Sequence, residues 1–349
     1  MPLVRADGLT ALLTQAFQRM GARPDDAGLV AASLVKSNLS DYPSHGVYRV
    51  EQYYEWWRQG LINTKARPVI AEERGFAVQV DGNQAFGQVV ANFAVQTALR
   101  KARSTGIAIV TARSCNHIGR LADYAEQLKE ARLIGIVMAN DSGAGQVVAP
   151  WGGIDGRLST NPIAIGIPGE QSGILFDFST SAAAAGKVKQ LLLENRPAPD
   201  GWLIDASGTP TREPAALFRQ PRGFLLPAGG HRGYALSLVV EVMAGILSGA
   251  GFAGPRPGPE EMNGVFVQAL DPGWFVPPEM FYAQVDQLGR HIKSSRPMPG
   301  VGPVHIPGER AEAVAAQRRR EGIPLDTTTY ATIQKILRSL SLPDTLPVV

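Results

Sequence analysis

Between residues 76 and 179 the chain repeats one pattern: short runs rich in Val and Ile, each bounded by Gly, Pro or Asn. They are FAVQVD (76–81), IAIVTAR (107–113), IGIVMAN (134–140), NPIAIGIP (161–168) and ILFDFS (174–179). β-Branched residues in runs this short mark strands. Helical periodicity lies between some of them, in VVANFAVQTALRKAR (89–103) and RLADYAEQLKEARL (120–133). A chain built this way must bury a sheet against helices, so the expected class is α/β (α+β).

The two chain ends read differently. Asp7 is placed to cap ALLTQAFQRM, which Gly21 ends, and PDDAGLVAASLVKSNLS opens on Pro24 and two acids. A third helical segment runs to Gly60, and GERAEAVAAQRRREG and TTTYATIQKILRSL close the chain. The expectation is a helical domain built from residues 1–75 and 309–349, and an α/β domain over 76–308. The stretch AGPRPGPEE (253–261) is rich in Pro and Gly and reads as a loop.

Two segments match or approach the dinucleotide fingerprint G-x-G-x-x-G by letter. GAGFAG (249–254) follows the helix-like YALSLVVEVMAGILSG rather than a strand. GAGQVV (143–148) follows a strand but leads into APWGG rather than a helix. Both fail the strand–turn–helix context that gives the motif its meaning.

With 44% hydrophobic and 19% charged residues over 349 positions, the chain reads as a soluble globular protein. Its formal charge of +3 gives nucleic-acid binding little support. The first twenty residues carry Arg5 and Asp7 within an amphipathic pattern, not a signal peptide, and no apolar run is long enough to cross a membrane. The single cysteine, Cys115, fits a reducing compartment, so the expected location is cytoplasmic.

Chemistry concentrates in SHGVYR (44–49). With Asp41 as N-cap and Pro43 in the first turn, a continuous helix would put Arg49 about 40° and Tyr53 about 80° from His45, away from the apolar stripe. A His/Arg pair on one stripe makes sense around an anion: Arg can clamp a carboxylate, and a neutral His can exchange a proton beside it. Gly46 between them disfavours helix, which is easier to understand if something approaches the backbone there.

Other candidates follow the strands. His117 in CNHIG stands at a strand end opening a helix. Asp177 lies in LFDFSTS, where a carboxylate could orient a histidine or cap a helix. GGHRGYALS and HIPGER each open a helix with glycines and an arginine, an arrangement suited to a phosphate-like anion. Cys115 reads as a small buried hydrophobe. The five histidines show no metal-ligand spacing, so no metal is expected, and the lack of a G-x-S-x-G argues against serine hydrolysis.

Taken in order, SHGVYRVEQYYEWWRQGLIN, CNHIGRLADYAE, LIGIVMANDS, VAPWGG, RLSTNPIAIGIP, FDFSTSAAAAGK, LPAGGHRGYALSLVVEVMAGILSGA and HIPGER resemble the type 2 malate/L-lactate dehydrogenase family over nearly the whole chain. That family includes sulfolactate, ureidoglycolate and diketogulonate dehydrogenases or reductases and cyclic imino-acid reductases. The resemblance implies a homodimer that binds NAD or NADP on a non-Rossmann, mostly antiparallel sheet, and acts on a small 2-hydroxy or 2-oxo acid. It implies His45, by preference, or His117 as the acid/base, and Ser44, Arg49 and Tyr53 at the substrate. It places Ser142, Asp177, Ser179 and Thr180, His231 and Arg232, and Gly308, Glu309 and Arg310 in segments that contact the cofactor. Tyr42-Pro43, Cys115 and Arg232 depart from the family's usual residues, and the first pair borders the substrate site. The alternatives are a reductase of a cyclic 2-carboxy imine and a catalytically silent member.

Overall fold

The computed structural model describes residues 1–143, 145–254 and 262–349. Most of the Pro/Gly-rich stretch at 253–261 therefore lies outside the described residues.

The two chain ends share one hydrophobic core. Helices α1 (Ala6–Arg19), α2 (Pro24–Leu39) and α3 (Val50–Arg58) pack with α9 (Glu309–Glu321) and α10 (Thr327–Ser339). Leu9, Leu13, Phe17, Leu34 and Tyr53 are buried together with Ile333 and Leu337. Strand β1 (Leu3–Val4) pairs antiparallel with β12 (Ile323–Pro324), tying the N-terminus to the last helices. Phe86 and Val89, at the start of α4 (Gly87–Thr105), insert into the same core.

The remainder is organised by a seven-stranded sheet ordered β2-β3-β4-β11-β5-β6-β7. Its strands are β2 (Val69–Arg74), β3 (Ala77–Asp81), β4 (Ile107–Cys115), β5 (Ile134–Asp141), β6 (Pro162–Ile167), β7 (Ile174–Ser179) and β11 (Asn263–Leu270). All five runs read as strands from the sequence are strands. Only β3 and β4, joined through α4, run parallel; every other neighbouring pair is antiparallel, so the sheet is mixed. Strand β2 begins at residue 69, earlier than the expected start of the sheet at 76. It lies at the edge with all six residues exposed, which explains why no buried alternation marked it.

Alternation along the central strand β11 assigns the two faces. Val265 and Val267 pack under α4 with Val90, Ala94 and Ala98. Phe266 points the other way, against Val240 and Ala244. Those two belong to α7 (His231–Val240) and to the π-helical segment Glu241–Ile246 that continues it. Glu241 is buried there, and its carboxylate accepts from Asn140 and Asn161 side chains and the Ala253 N–H. GAGFAG follows that helical run, with Gly249 and Gly251 at positive φ, and does not join a strand to a helix.

A small sheet, β8 (Leu203–Ile204), β9 (Pro210–Thr211) and β10 (Phe224–Leu225), packs with α6 (Ala185–Leu193). Helix α5 (Ala122–Glu130) covers β5 and β6, and α8 (Pro278–Lys293) precedes the return to the chain-end core.

Candidate active site

SHGVYR is not one helix. Pro43–His45 and Val47–Arg49 form two separate 3₁₀ turns, Gly46 between them is extended, and α3 starts only at Val50. The cause is Asn38, whose Oδ1 accepts the Val47 N–H at 2.7 Å. A Cβ on residue 46 would stand 1.9 Å from that oxygen. The close approach expected at Gly46 is therefore made by a side chain of α2. Gly46→Ala should destabilise the fold by about 1–3 kcal/mol, the usual cost of overpacking, and thermal unfolding would show it; an unchanged Tm would contradict this role for Asn38.

Asp41 is not the N-cap expected of it. Its φ is +68°, and its carboxylate pairs with Arg310 at 2.9 Å and Arg318 at 2.6 Å, tying the turn to α9. The continuous His–Arg–Tyr stripe thus does not exist, but the turns still bring these residues to one place. His45 stacks on His117 with ring centroids 5.6 Å apart and planes 16° from parallel. Ser44 Oγ lies 3.1 Å from His45 Nδ1. Arg49 donates from Nε to the Ser44 carbonyl at 2.8 Å and from Nη1 to Gln52 at 2.6 Å, which orients its guanidinium beside the rings.

Tyr53, expected at the substrate, is only 1% exposed. Its hydroxyl sits 2.8 Å from His117 Nδ1 and accepts from Gln88 Nε2 at 2.7 Å. Helix α3 turns its ring inward against Phe17, Phe86 and Trp56. His117 lies in the loop after β4, not in the first turn of α5. That loop is pinned: Asn116 donates to the carbonyls of Gln84 and Ala85, Ile118 N–H to Asn263, and Tyr124 to the Ile118 carbonyl. Cys115 is fully buried, and burial pushes its thiol far up, which disqualifies it as a nucleophile.

Burial, and then the Arg49 charge, hold both imidazoles neutral. His45 is pulled down to about 3 and His117 well below its usual value. Arg120 adds to the effect on His45. Removing a neighbouring positive charge favours imidazolium, so Arg49→Met should raise both histidine pKa values toward the usual 6.5 or so. Ring-nitrogen NMR titration measures this; unmoved values would show that the Arg49 charge does not reach the rings.

Asp177 Oδ2 accepts the N–H of Ala122, the first residue of α5, at 2.8 Å. Its hydrogen bonds go to that helix start, not to a histidine, which is the capping alternative. Burial raises its pKa to about 6 against the opposing pull of Arg120. Arg120 itself was not singled out from the sequence. It is 5% exposed, holds Asp123 through two nitrogens and packs its guanidinium 5.3 Å from the Tyr42 ring. An i,i+3 Arg/Asp pair on an amphipathic helix looks like a solvated face, and only the fold shows it buried. Gln88 was missed likewise, as one polar residue in an apolar helix.

The expected cofactor residues fall into three groups. Thr180 meets the start of α7: its carbonyl accepts the Ala228 N–H, and Gly233 packs against it. There Gly229 and Gly230 have positive φ and leave His231 and Arg232 exposed. Ser179 and Thr180 hydroxyls both donate to the Thr160 carbonyl. At the opposite end of β7, Gly308 packs on Leu175 while Glu309 takes the Ile306 N–H and Lys293, and Arg310 pairs with Asp41. Ser142, the third, follows the end of β5 and is bonded to the Met262 carbonyl through its N–H and its hydroxyl.

The family model for malate/L-lactate dehydrogenase matches residues 4–334. The chain belongs to the malate/L-lactate dehydrogenase family. It is 36% identical over 336 residues to L-sulfolactate dehydrogenase of Methanothermobacter thermautotrophicus, covering 95% of each chain. Sulfolactate dehydrogenase from Methanocaldococcus jannaschii superposes with a TM-score of 0.88 at 31% identity, covering 98% of both chains. The Δ1-piperideine-2-carboxylate reductase of Pseudomonas syringae superposes at 0.85 and 30% identity, over 96% of this chain and 100% of that one. These relatives make the protein an oxidoreductase of the malate/lactate/sulfolactate dehydrogenase type. Among the described residues no helix is long and apolar enough to cross a membrane.

Proposed function

We propose that this family member is an NAD(P)-dependent oxidoreductase that transfers a hydride between a nicotinamide cofactor and C2 of a small 2-hydroxy or 2-oxo acid. The observation that carries the reading is the stacked neutral His45–His117 pair beside an oriented Arg49. Arg49 takes the substrate carboxylate through charge-assisted hydrogen bonds, which holds the neighbouring C2 oxygen against the histidines. His117 moves the proton at that oxygen, because its Nδ1 is already fixed by Tyr53 and its other nitrogen remains for the substrate. Ser44 and His45 line the same turn and orient the acid. A bound carboxylate offsets the Arg49 charge, so binding itself raises the proton affinity of both rings.

The residues present fit an anionic dinucleotide. At the start of α7 two glycines at positive φ, a neighbouring position open enough that a Cβ on Gly229 would meet nothing, and exposed Arg232 offer N–H groups and positive charge to a pyrophosphate. His231 and Arg232, both exposed at that helix start, would hold it there, without a Rossmann turn. When bound, the nicotinamide supplies or accepts the hydride. Leu236, Val239, Val242 and Ile246 lie exposed along α7 and its π-helical continuation, which supports a homodimer through that face. The reading places the protein in the cytoplasm, with its cofactor pool.

A second reading is favoured by the likeness to the Pseudomonas syringae reductase: reduction of a cyclic 2-carboxy imine, with the proton going to nitrogen. Purified protein assayed with NADH and NADPH against lactate-, malate- and sulfolactate-type 2-oxo acids and cyclic imines separates the two. The main reading expects a 2-oxo acid to show the highest kcat/KM; turnover of imines alone would replace it with the second.

A further inference from the structure

We infer that Gln88, acting through Tyr53, is a positioning residue that fixes which nitrogen of His117 carries the proton. The inference deepens the proposed function and rests on its assignment of His117 to the reacting oxygen.

Gln88 is 1% exposed and stands in the first turn of α4. It reaches the site because α4 starts hard against the His117 loop. A Cβ on Gly87 would lie 2.2 Å from the carbonyl oxygens of both Asn116 and His117, so only glycine permits this approach. From there Gln88 Nε2 donates to the Tyr53 hydroxyl at 2.7 Å. Tyr53 has one proton to give, and among the described residues its hydroxyl meets two acceptors: His117 Nδ1 at 2.8 Å and the His117 carbonyl at 3.3 Å. A hydroxyl that already accepts a hydrogen bond is a better donor and a poorer acceptor. Its proton therefore goes to the nearer target, Nδ1. An imidazole whose Nδ1 accepts carries its own proton on Nε2 when neutral. His117 thus presents an Nε2–H to the substrate oxygen, which polarises a 2-oxo carbonyl. As the hydride reaches C2 that proton passes to the oxygen, and the Tyr53 hydroxyl proton passes to Nδ1 so that the ring ends neutral. The phenolate, held by the Gln88 N–H, regains its proton from solvent after product leaves.

Gln88 Oε1 is buried and has no hydrogen-bond partner among the described residues. An amide turned the other way would offer that oxygen to Tyr53, draw its proton away and leave the hydroxyl to accept Nδ1–H. The orientation seen leaves an acceptor unsatisfied while it keeps the Tyr53 proton on the histidine. That is the arrangement expected of an amide placed for His117 rather than for packing.

The test is ring-nitrogen NMR on protein labelled only at histidine, which reads the tautomer without any turnover. In wild type, His117 should show a protonated Nε2 and a hydrogen-bonded, unprotonated Nδ1. Gln88→Met keeps the length of the side chain and removes the donor; Tyr53→Phe removes the hydroxyl. Both should weaken the bond at Nδ1, which favours the neutral ring, so the His117 pKa should rise in each variant. For 2-oxo acid reduction, kcat should fall about tenfold or more, toward the roughly 10²-fold lower end of what a positioned acid or base is worth, while KM for the oxo acid stays near wild type. A wild-type His117 protonated on Nδ1 overturns the inference, as does a Gln88→Met protein whose His117 nitrogen shifts and pKa match wild type. If the shifts behave as stated but His117→Ala keeps full turnover, Gln88 still sets the tautomer and it is the proposed role of His117 that falls.

Discussion

Replacing His117 by alanine is expected to lower kcat about 10²–10⁴-fold, the usual worth of a positioned acid or base, with cofactor affinity nearly unchanged. The site contains two histidines, and the hydrogen bond from Tyr53 distinguishes them. A general acid–base pair is efficient when a third group holds the ring, and His117 has that group on a fully buried tyrosine. Among the described residues His45 has only the neighbouring Ser44 hydroxyl at its Nδ1, on a turn that is partly accessible. His45→Ala should therefore affect KM for the acid more than kcat. Steady-state kinetics on both variants decides the matter: if His45→Ala collapses and His117→Ala stays close to wild type, the proton role belongs to His45.

Arg49 carries the second large effect. Its guanidinium is steered by the Ser44 carbonyl and Gln52 to the side of the stacked rings. Losing a charge-assisted hydrogen bond costs roughly 1.5–3 kcal/mol, or about ten- to a hundredfold in kcat/KM. Arg49→Met should show that loss for a 2-oxo acid, and Arg49→Lys a smaller one, because Lys keeps the charge but not the planar fork. The Kd for reduced cofactor should stay near wild type. Substrate amides provide the control: wild type should prefer acid over amide, and Arg49→Met should lose most of that preference. A Met variant that discriminates as strongly as wild type would assign the carboxylate to another residue, and buried Arg120 would be the first to examine.

Much of this fold was legible because burial alternates where strands are covered. The five Val/Ile-rich runs and the helices between them are present as read. Strand β11 was not read, although NGVFVQAL forms the centre of the sheet; it follows a Pro/Gly-rich stretch and pairs only with strands far away in sequence. The site was legible as a set of residues and illegible as a geometry. SHGVYR carries the chemistry, yet the hydrogen bond that Asn38 Oδ1 accepts from the Val47 N–H breaks the helix that its spacing implied. The helical wheel put Tyr53 on one stripe with His45 and Arg49 and could not show that Phe17 and Phe86 close over its ring. Gln88 and Arg120 gave no local signal. Each matters through a partner brought up by packing, and periodicity does not record such partners.

Hydride transfer to C2 is the central claim, and isotope transfer tests it most directly. The protein would be incubated with a 2-oxo acid and NADH or NADPH carrying deuterium at the transferable C4 position, and the product examined by NMR. The account predicts one deuterium on C2 of the 2-hydroxy acid and a loss of that product in His117→Ala. Product without deuterium at C2, or no reduction of any 2-oxo acid with either cofactor, would contradict it.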